Sequence, residues 1–229
     1  MPAKNRVKQY VQHGYYHLYN RGVEKRRIFL DDQDYRVFLH LLRFYLLPID
    51  KPNEHPLTEL TGFQPVRRRP ITSLHREVKL LCYCLMPNHF HLLLRQTSKN
   101  GMEKLARKLL TTYVLYFNRR YDRIGPLFQG VYKAAIVQTD EHLIHVTRYI
   151  HQNPTLTRGF LSEYPYSSYA NYLGEKKNEW LDTAPALSLF KDPKKGEMGL
   201  GEFRNYKDFV ESPETDSEEI IGNIAMERD

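Results

Sequence analysis

The sequence predicts an α+β domain: an antiparallel sheet with helices on one face, followed by a helical or irregular C-terminal extension. Three observations predict it. Short runs rich in apolar and aromatic residues read as strands, and two of them are separated only by Pro87-Asn88, which makes them a hairpin. Longer segments carry apolar residues at 3.6-residue spacing and read as amphipathic helices. The two kinds follow one another as β-α-β-β-α-β-α, the order of a ferredoxin-like split βαβ sheet with one added helix.

Residues 1–13 are polar and basic and read as an arm. Tyr15 to Asn20 (YYHLYN) is the first strand, closed by Arg21-Gly22. Asp31 or Asp32 can cap a helix through Tyr35, Phe38, Leu41, Leu42 and Tyr45, which Pro48 ends. Residues 48–76 contain Pro48, Pro52, Pro56, Pro65 and Pro70 around the basic run Arg67-Arg68-Arg69, and read as a long loop insertion. Val78 to Met86 and His89 to Gln96 are the hairpin strands. Met102 to Tyr121 is a basic helix with Leu105, Leu109, Tyr113, Tyr116 and Phe117 on its apolar side. Tyr132 to Val137 is the fourth strand. Asp140 caps a helix through His151, ended by Asn153-Pro154. The catalytic domain is expected over 14–160. An extension follows over 161–210, with a short helix after Asp182. An acidic tail over 211–229 is expected to be disordered.

Charge is unevenly spread. The net charge is +7, yet residues 211–229 hold seven acidic residues and one basic one, leaving 33 basic and 20 acidic residues over 1–210, a net of +13. A basic body with an acidic tail suggests a polyanionic partner. Cys82 and Cys84 sit one residue apart on a strand, on the same face, too crowded for a normal disulfide, which excludes a disulfide scaffold and fits a reducing compartment. The chain has no apolar run long enough to span a bilayer, so a cytoplasmic protein without a membrane partner is expected.

Chemistry-bearing residues fall on two elements. On a strand, residues i and i+2 share a face, so His89 and His91 present two imidazoles together, half of a metal site. The pattern is short, and alone it is no more than two histidines on a strand. On the last helix Tyr149 and Asn153, four apart, share a face with His145. A tyrosine beside an amide oxygen and two imidazoles suits a nucleophile-plus-metal arrangement, although the chain has 17 tyrosines and chemistry alone does not single one out.

Five segments together are more specific: Tyr16-His-Leu-Tyr-Asn-Arg-Gly22, Tyr83-Cys-Leu-Met-Pro-Asn-His-Phe-His-Leu-Leu94, Tyr116-Phe-Asn-Arg-Arg-Tyr121, Gly125-Pro-Leu-Phe-Gln-Gly130 and Arg148-Tyr-Ile-His-Gln-Asn-Pro154. In this order they resemble the REP-associated tyrosine transposases, of the HUH single-tyrosine transposase superfamily. The resemblance covers roughly Gly14 to Tyr172. It implies a ferredoxin-like catalytic domain and metal-dependent nicking and rejoining of single-stranded DNA at repeat hairpins through a 5′-phosphotyrosine. By position it makes His89, His91 and Asn153 the ligands of a divalent metal, Mg2+ or Mn2+, and Tyr149 the nucleophile. It assigns no role to His145. Two departures stand out: Val131 where relatives often carry a basic residue after Phe-Gln-Gly, and the length of the 48–76 segment.

The expected partner is single-stranded or hairpin DNA, and the expected state a monomer or homodimer. Lys104, Arg107, Lys108, Arg119 and Arg120 on helix 102–121 are candidate DNA contacts, with the aromatic residues among them mostly in the core. Arg67, Arg68 and Arg69 form a second candidate patch. Lys133, at the start of the strand before the tyrosine helix, can stabilise a phosphate or phenolate, or simply be solvated. The competing readings are a domesticated hairpin DNA- or RNA-binding protein without cleavage, and a zinc hydrolase; the latter lacks a further obvious ligand and a carboxylate base.

Overall fold

The computed structural model describes residues 10–49, 56–57, 71–156, 161–212 and 217–225. Its centre is a four-stranded antiparallel sheet in the order β2-β3-β1-β4, with β1 Tyr15–Arg21, β2 Val78–Met86, β3 His89–Gln96 and β4 Lys133–Val137. Helix α1 (Asp32–Leu46) links β1 to β2, α2 (Gly101–Arg120) links β3 to β4, and α3 (Asp140–Gln152) follows β4. This is the expected strand order and connectivity. The caps are local chemistry. Asp31 accepts from the Asp34 N–H at the start of α1, and Thr139, rather than the expected Asp140, accepts from the His142 N–H at the start of α3.

Alternation along the strands builds two cores. Tyr16, Leu18, Phe90, Leu92 and Leu94 face α1 and α2, together with Phe38, Leu41, Leu105, Tyr113 and Phe117. Leu93, Ala135 and Val137 face the other way, onto Ile144, Val146, Tyr149 and Ile150 of α3. The expectation of helices on one face is therefore corrected: the sheet is covered on both, because β2 and parts of β3 and β4 (Leu81, Cys82, Leu93, Ala135 and Val137) are apolar on the second face as well. In β2 the register slips between Leu80 and Cys82. This bulge sends both Leu81 and Cys82 to the second core, and re-phases the strand so that Cys84 and Met86 follow them.

The C-terminal extension completes the second core. Helices α4 (Tyr169–Tyr172), α5 (Ala184–Ser188) and α6 (Tyr206–Glu211) contribute Tyr169, Tyr172, Ala186, Tyr206 and Phe209. Buried Arg148 of α3 ties this layer down, its guanidinium donating to the Phe209 carbonyl at 2.7 Å and to Ser217 Oγ at 3.0 Å. The acidic tail also differs from expectation. Residues 217–225 form α7 (Ser217–Ile221) and a further helical turn, and bury Ile221, Ile224 and Ala225 against the same core. The extension also pairs with the β2 edge: the Leu85 N–H donates to the Tyr166 carbonyl, the Ser168 N–H to the Tyr83 carbonyl and the Asp182 N–H to the Leu80 carbonyl. Of the 48–76 segment, the described residues form neither helix nor strand, and Leu57, Ile71 and Leu74 reach the first core.

Candidate active site

The hairpin turn that presents His89 is clamped by the chain leaving β1. The Pro87 carbonyl accepts from the Ile28 and Phe29 N–H groups at 2.8 and 3.1 Å, and the Asn88 carbonyl accepts from the Gly22 N–H at 2.8 Å. Gly22 is required there, because a Cβ would stand 2.2 Å from the Arg26 carbonyl oxygen. Two segments far apart in sequence are thus one structural unit, and the turn hands β3 its histidines in a fixed register.

His89 and His91 fall on the second face of the sheet, the face covered by α3. Their rings are 4.9 Å apart and nearly perpendicular. Tyr149 of α3 meets His91 edge-on, with ring centroids 5.5 Å apart at 85°. One turn later, Asn153 caps the α-helix and opens a 3-10 turn, Asn153–Leu156, that runs through Pro154. The Asn153 amide N–H donates to the Tyr149 carbonyl at 2.9 Å, which turns Oδ1 towards His89 Nε2, 3.3 Å away. The four residues singled out from the sequence, His89, His91, Tyr149 and Asn153, are brought together.

Hydrogen bonding defines what these groups offer. His89 Nδ1 lies 2.6 Å from Asn88 Oδ1, whose amide nitrogen donates to the Lys25 carbonyl. An amide oxygen only accepts, so Nδ1 carries the proton and Nε2 presents a lone pair. That lone pair faces the Asn153 oxygen, another acceptor. His91 Nε2 is buried and has no hydrogen-bond partner among the described residues. The two imidazoles and the Asn153 amide oxygen are gathered in one place, with the Asn153 side chain acting on both histidines. Such a donor set fits a divalent cation and leaves further coordination positions open. Among the described residues no three His, Cys, Asp or Glu side chains gather as a metal site; the third donor here is an amide. Burial holds both imidazoles neutral. It lowers His89 to about 4, opposed by the Asn153 contact and helped by the charge of Arg21, and takes His91 well below its ordinary value, with His89 and His17 adding to the effect.

Two residues at the site escaped the sequence reading. His17, on β1, stacks on His91 with centroids 5.1 Å apart, meets Tyr149 edge-on at 5.8 Å and sits 2.9 Å from His91 Nδ1. Arg21 stands opposite His89 across the β1–β3 ladder. The available signal was period two: Tyr15, His17, Tyr19 and Arg21 alternate with Tyr16, Leu18 and Asn20, so one face of β1 shares the side of His89 and His91.

The cationic candidates divide. Lys133 opens β4 opposite Tyr19, whose ring lies 6.1 Å from that of His91, so Lys133 borders the site. Helix α2 packs on the opposite face of the sheet, so Lys104, Arg107, Lys108, Arg119 and Arg120 are not brought to it. Lys104 pairs with Glu77 at 2.6 Å, Lys108 donates to the Thr72 carbonyl, and Arg120 bridges Asp31 and Asp34. Arg67, Arg68 and Arg69 lie outside the described residues. His145 turns away from the site, its Nδ1 3.0 Å from Ser217 Oγ and its ring against Phe209.

Residues 71–153 match the model of the family described as IS200-like transposases. No curated protein matches the chain. Among solved structures, a REP-associated tyrosine transposase bound to a REP hairpin superimposes with a TM-score of 0.51 at 11% identity, over 79% of this chain and 98% of that one. The resemblance read from the motifs therefore holds: the chain is similar in sequence over 71–153 to the IS200-like transposases and shares its fold with a REP-associated tyrosine transposase.

Proposed function

We propose that this chain nicks and rejoins single-stranded DNA at repeat hairpins, in a metal-dependent reaction through a 5′-phosphotyrosine on Tyr149. One observation carries the reading: the imidazoles of His89 and His91 and the amide oxygen of Asn153 gather beside a tyrosine on one face of the sheet. A binding protein has no use for that convergence. The similarity to IS200-like transposases, and to a REP-associated transposase solved with a REP hairpin, supports DNA as the substrate.

A free phenol has a pKa of roughly 10 and is a poor nucleophile at neutral pH. Held by His89, His91 and Asn153, Mg2+ or Mn2+ would supply positive charge to the scissile phosphate. Arg21 and Lys133, flanking the histidines on the same face, add fixed positive charge where the phosphate must lie. Tyr149 Oη attacks phosphorus and gives up its proton to solvent, the bond to the 3′-oxygen breaks, and that oxygen takes a proton from solvent and leaves as a hydroxyl. The phosphotyrosine keeps the energy of the phosphodiester, so the 3′-hydroxyl of another strand can reverse the step and join. No nucleoside triphosphate is needed. The β2 edge is already paired with the extension, which supports a monomer over a dimer formed by strand addition there.

The test is incubation with single-stranded hairpins from the repeats flanking the gene, with Mn2+ or Mg2+. A covalent protein–DNA band is expected for the native chain and none for Tyr149→Phe, which still binds the hairpin. A band that persists in Tyr149→Phe sinks the assignment.

A further inference from the structure

The bonds around His17 fix more than its position. His17 Nδ1 lies 2.7 Å from the backbone carbonyl oxygen of Ile224. A carbonyl only accepts, so His17 Nδ1 carries a hydrogen and donates it. His17 is wholly buried, which favours the neutral ring, and a neutral ring with its hydrogen on Nδ1 has a lone pair on Nε2. That nitrogen is 2.9 Å from His91 Nδ1. Two lone pairs cannot face each other at this distance, so His91 Nδ1 is the donor. His91 then has its own lone pair on Nε2, the buried atom that meets no hydrogen-bond partner among the described residues. The chain of donors runs in one direction, from His91 to His17 to the carbonyl of a turn near the C-terminus.

We infer that His17 is a positioning residue: anchored by the Ile224 carbonyl, it holds His91 in the tautomer and ring plane that point the Nε2 lone pair beside His89 Nε2 and Asn153 Oδ1. The stacking of the two rings, 19° from parallel, supports the same role, since it limits rotation of His91 about its side chain. An imidazole that binds a cation through one nitrogen is commonly oriented by an acceptor on the other. Here that acceptor is a second imidazole rather than a carboxylate. It fixes the tautomer without bringing negative charge into the site. The inference rests on His91 being a metal ligand, as proposed above. It also gives the acidic segment that contains this turn a part in the site that its composition does not suggest.

The tautomers are read directly in metal-free protein by long-range proton–nitrogen correlation on 15N-labelled histidine. The native chain is expected to show His91 protonated on Nδ1 and bare on Nε2. Mn2+ affinity is then measured by electron paramagnetic resonance on the native chain, His17→Phe and His17→Gln, each checked for folding by its thermal transition. His17→Phe removes the acceptor and keeps the ring; about 10- to 100-fold weaker Mn2+ binding is expected. His17→Gln can still accept from His91 Nδ1 and is expected to recover most of the affinity. If native His91 carries its hydrogen on Nε2, or if folded His17→Phe binds Mn2+ as tightly as the native chain, the positioning role is wrong while the metal reading stands. If the native chain shows the expected tautomer and binds no Mn2+, the metal reading fails and takes this role with it.

Discussion

Asn153 shows how much one side chain settles. Its amide N–H caps the end of α3 on the Tyr149 carbonyl, and the same bond aims its oxygen at His89. Replacing it separates the two functions. Asn153→Asp keeps an oxygen and adds charge, so tighter Mn2+ binding than native is expected by electron paramagnetic resonance. Asn153→Leu removes the donor, and binding is expected to fall at least tenfold. Equal affinity in all three proteins would remove Asn153 from the site. At this scale the sequence was legible where a short period governs. His89 and His91 share a strand face, and Tyr149 and Asn153 a helix face, by spacing alone. It was not legible where the partner is remote. His17 and His91 are 74 residues apart, and Ile224 contributes a backbone carbonyl, which no residue type announces.

Helices and strands followed their patterns closely, because alternation and 3.6-residue spacing are properties of the segment itself. β2 and β3 have the bounds expected of them. The bulge at Leu81 left no trace, since every residue from Leu80 to Met86 is apolar or aromatic, and a one-residue slip there does not change the pattern. Helix α2 carries candidate DNA contacts on its charge, and three of these cations, Lys104, Lys108 and Arg120, also make bonds within the fold. The clearest case is Arg120, which donates to Asp31 and to fully buried Asp34, while Asp34 also accepts from Tyr116, Tyr121 and the Leu30 N–H. This network locks α1 to α2. Asp34→Ala strands these donors and is expected to destabilise the chain by about 3 kcal/mol in urea unfolding. An effect below about 1 kcal/mol would show that the network is not holding the helices. Thr139→Ala, which removes only the cap of α3, is expected to cost about 1 kcal/mol by the same measurement.

The molecule as a whole is a sheet between two cores, the second of which needs the extension. The acidic end of that layer, residues 211–229, is expected from its charge to be disordered, yet Ile221, Ile224 and Ala225 lie at helical spacing and are buried together. No described helix is long and apolar enough to cross a membrane. The second core also holds several neutral histidines. Burial lowers His17 and His145 to about 4 and His151 to about 3, from an ordinary 6.5. The unfolded chain takes up these protons first. Stability is therefore complete above about pH 6.5 and falls as pH drops towards 4, where the folded state begins to bind them too. Urea midpoints measured between pH 8 and pH 4.5 are expected to be flat at the upper end and to decline below about pH 6.5. A flat profile throughout would contradict the neutral, buried assignment.

Tyr149, and no other tyrosine of the 17, is expected to become linked to DNA. The most direct measurement is peptide mapping of the covalent adduct by mass spectrometry after nuclease and protease digestion. A nucleotide attached through its 5′-phosphate to Tyr149, formed only with a divalent cation, is expected. A nucleotide on another residue, or an adduct formed equally well in chelator, would contradict this assignment.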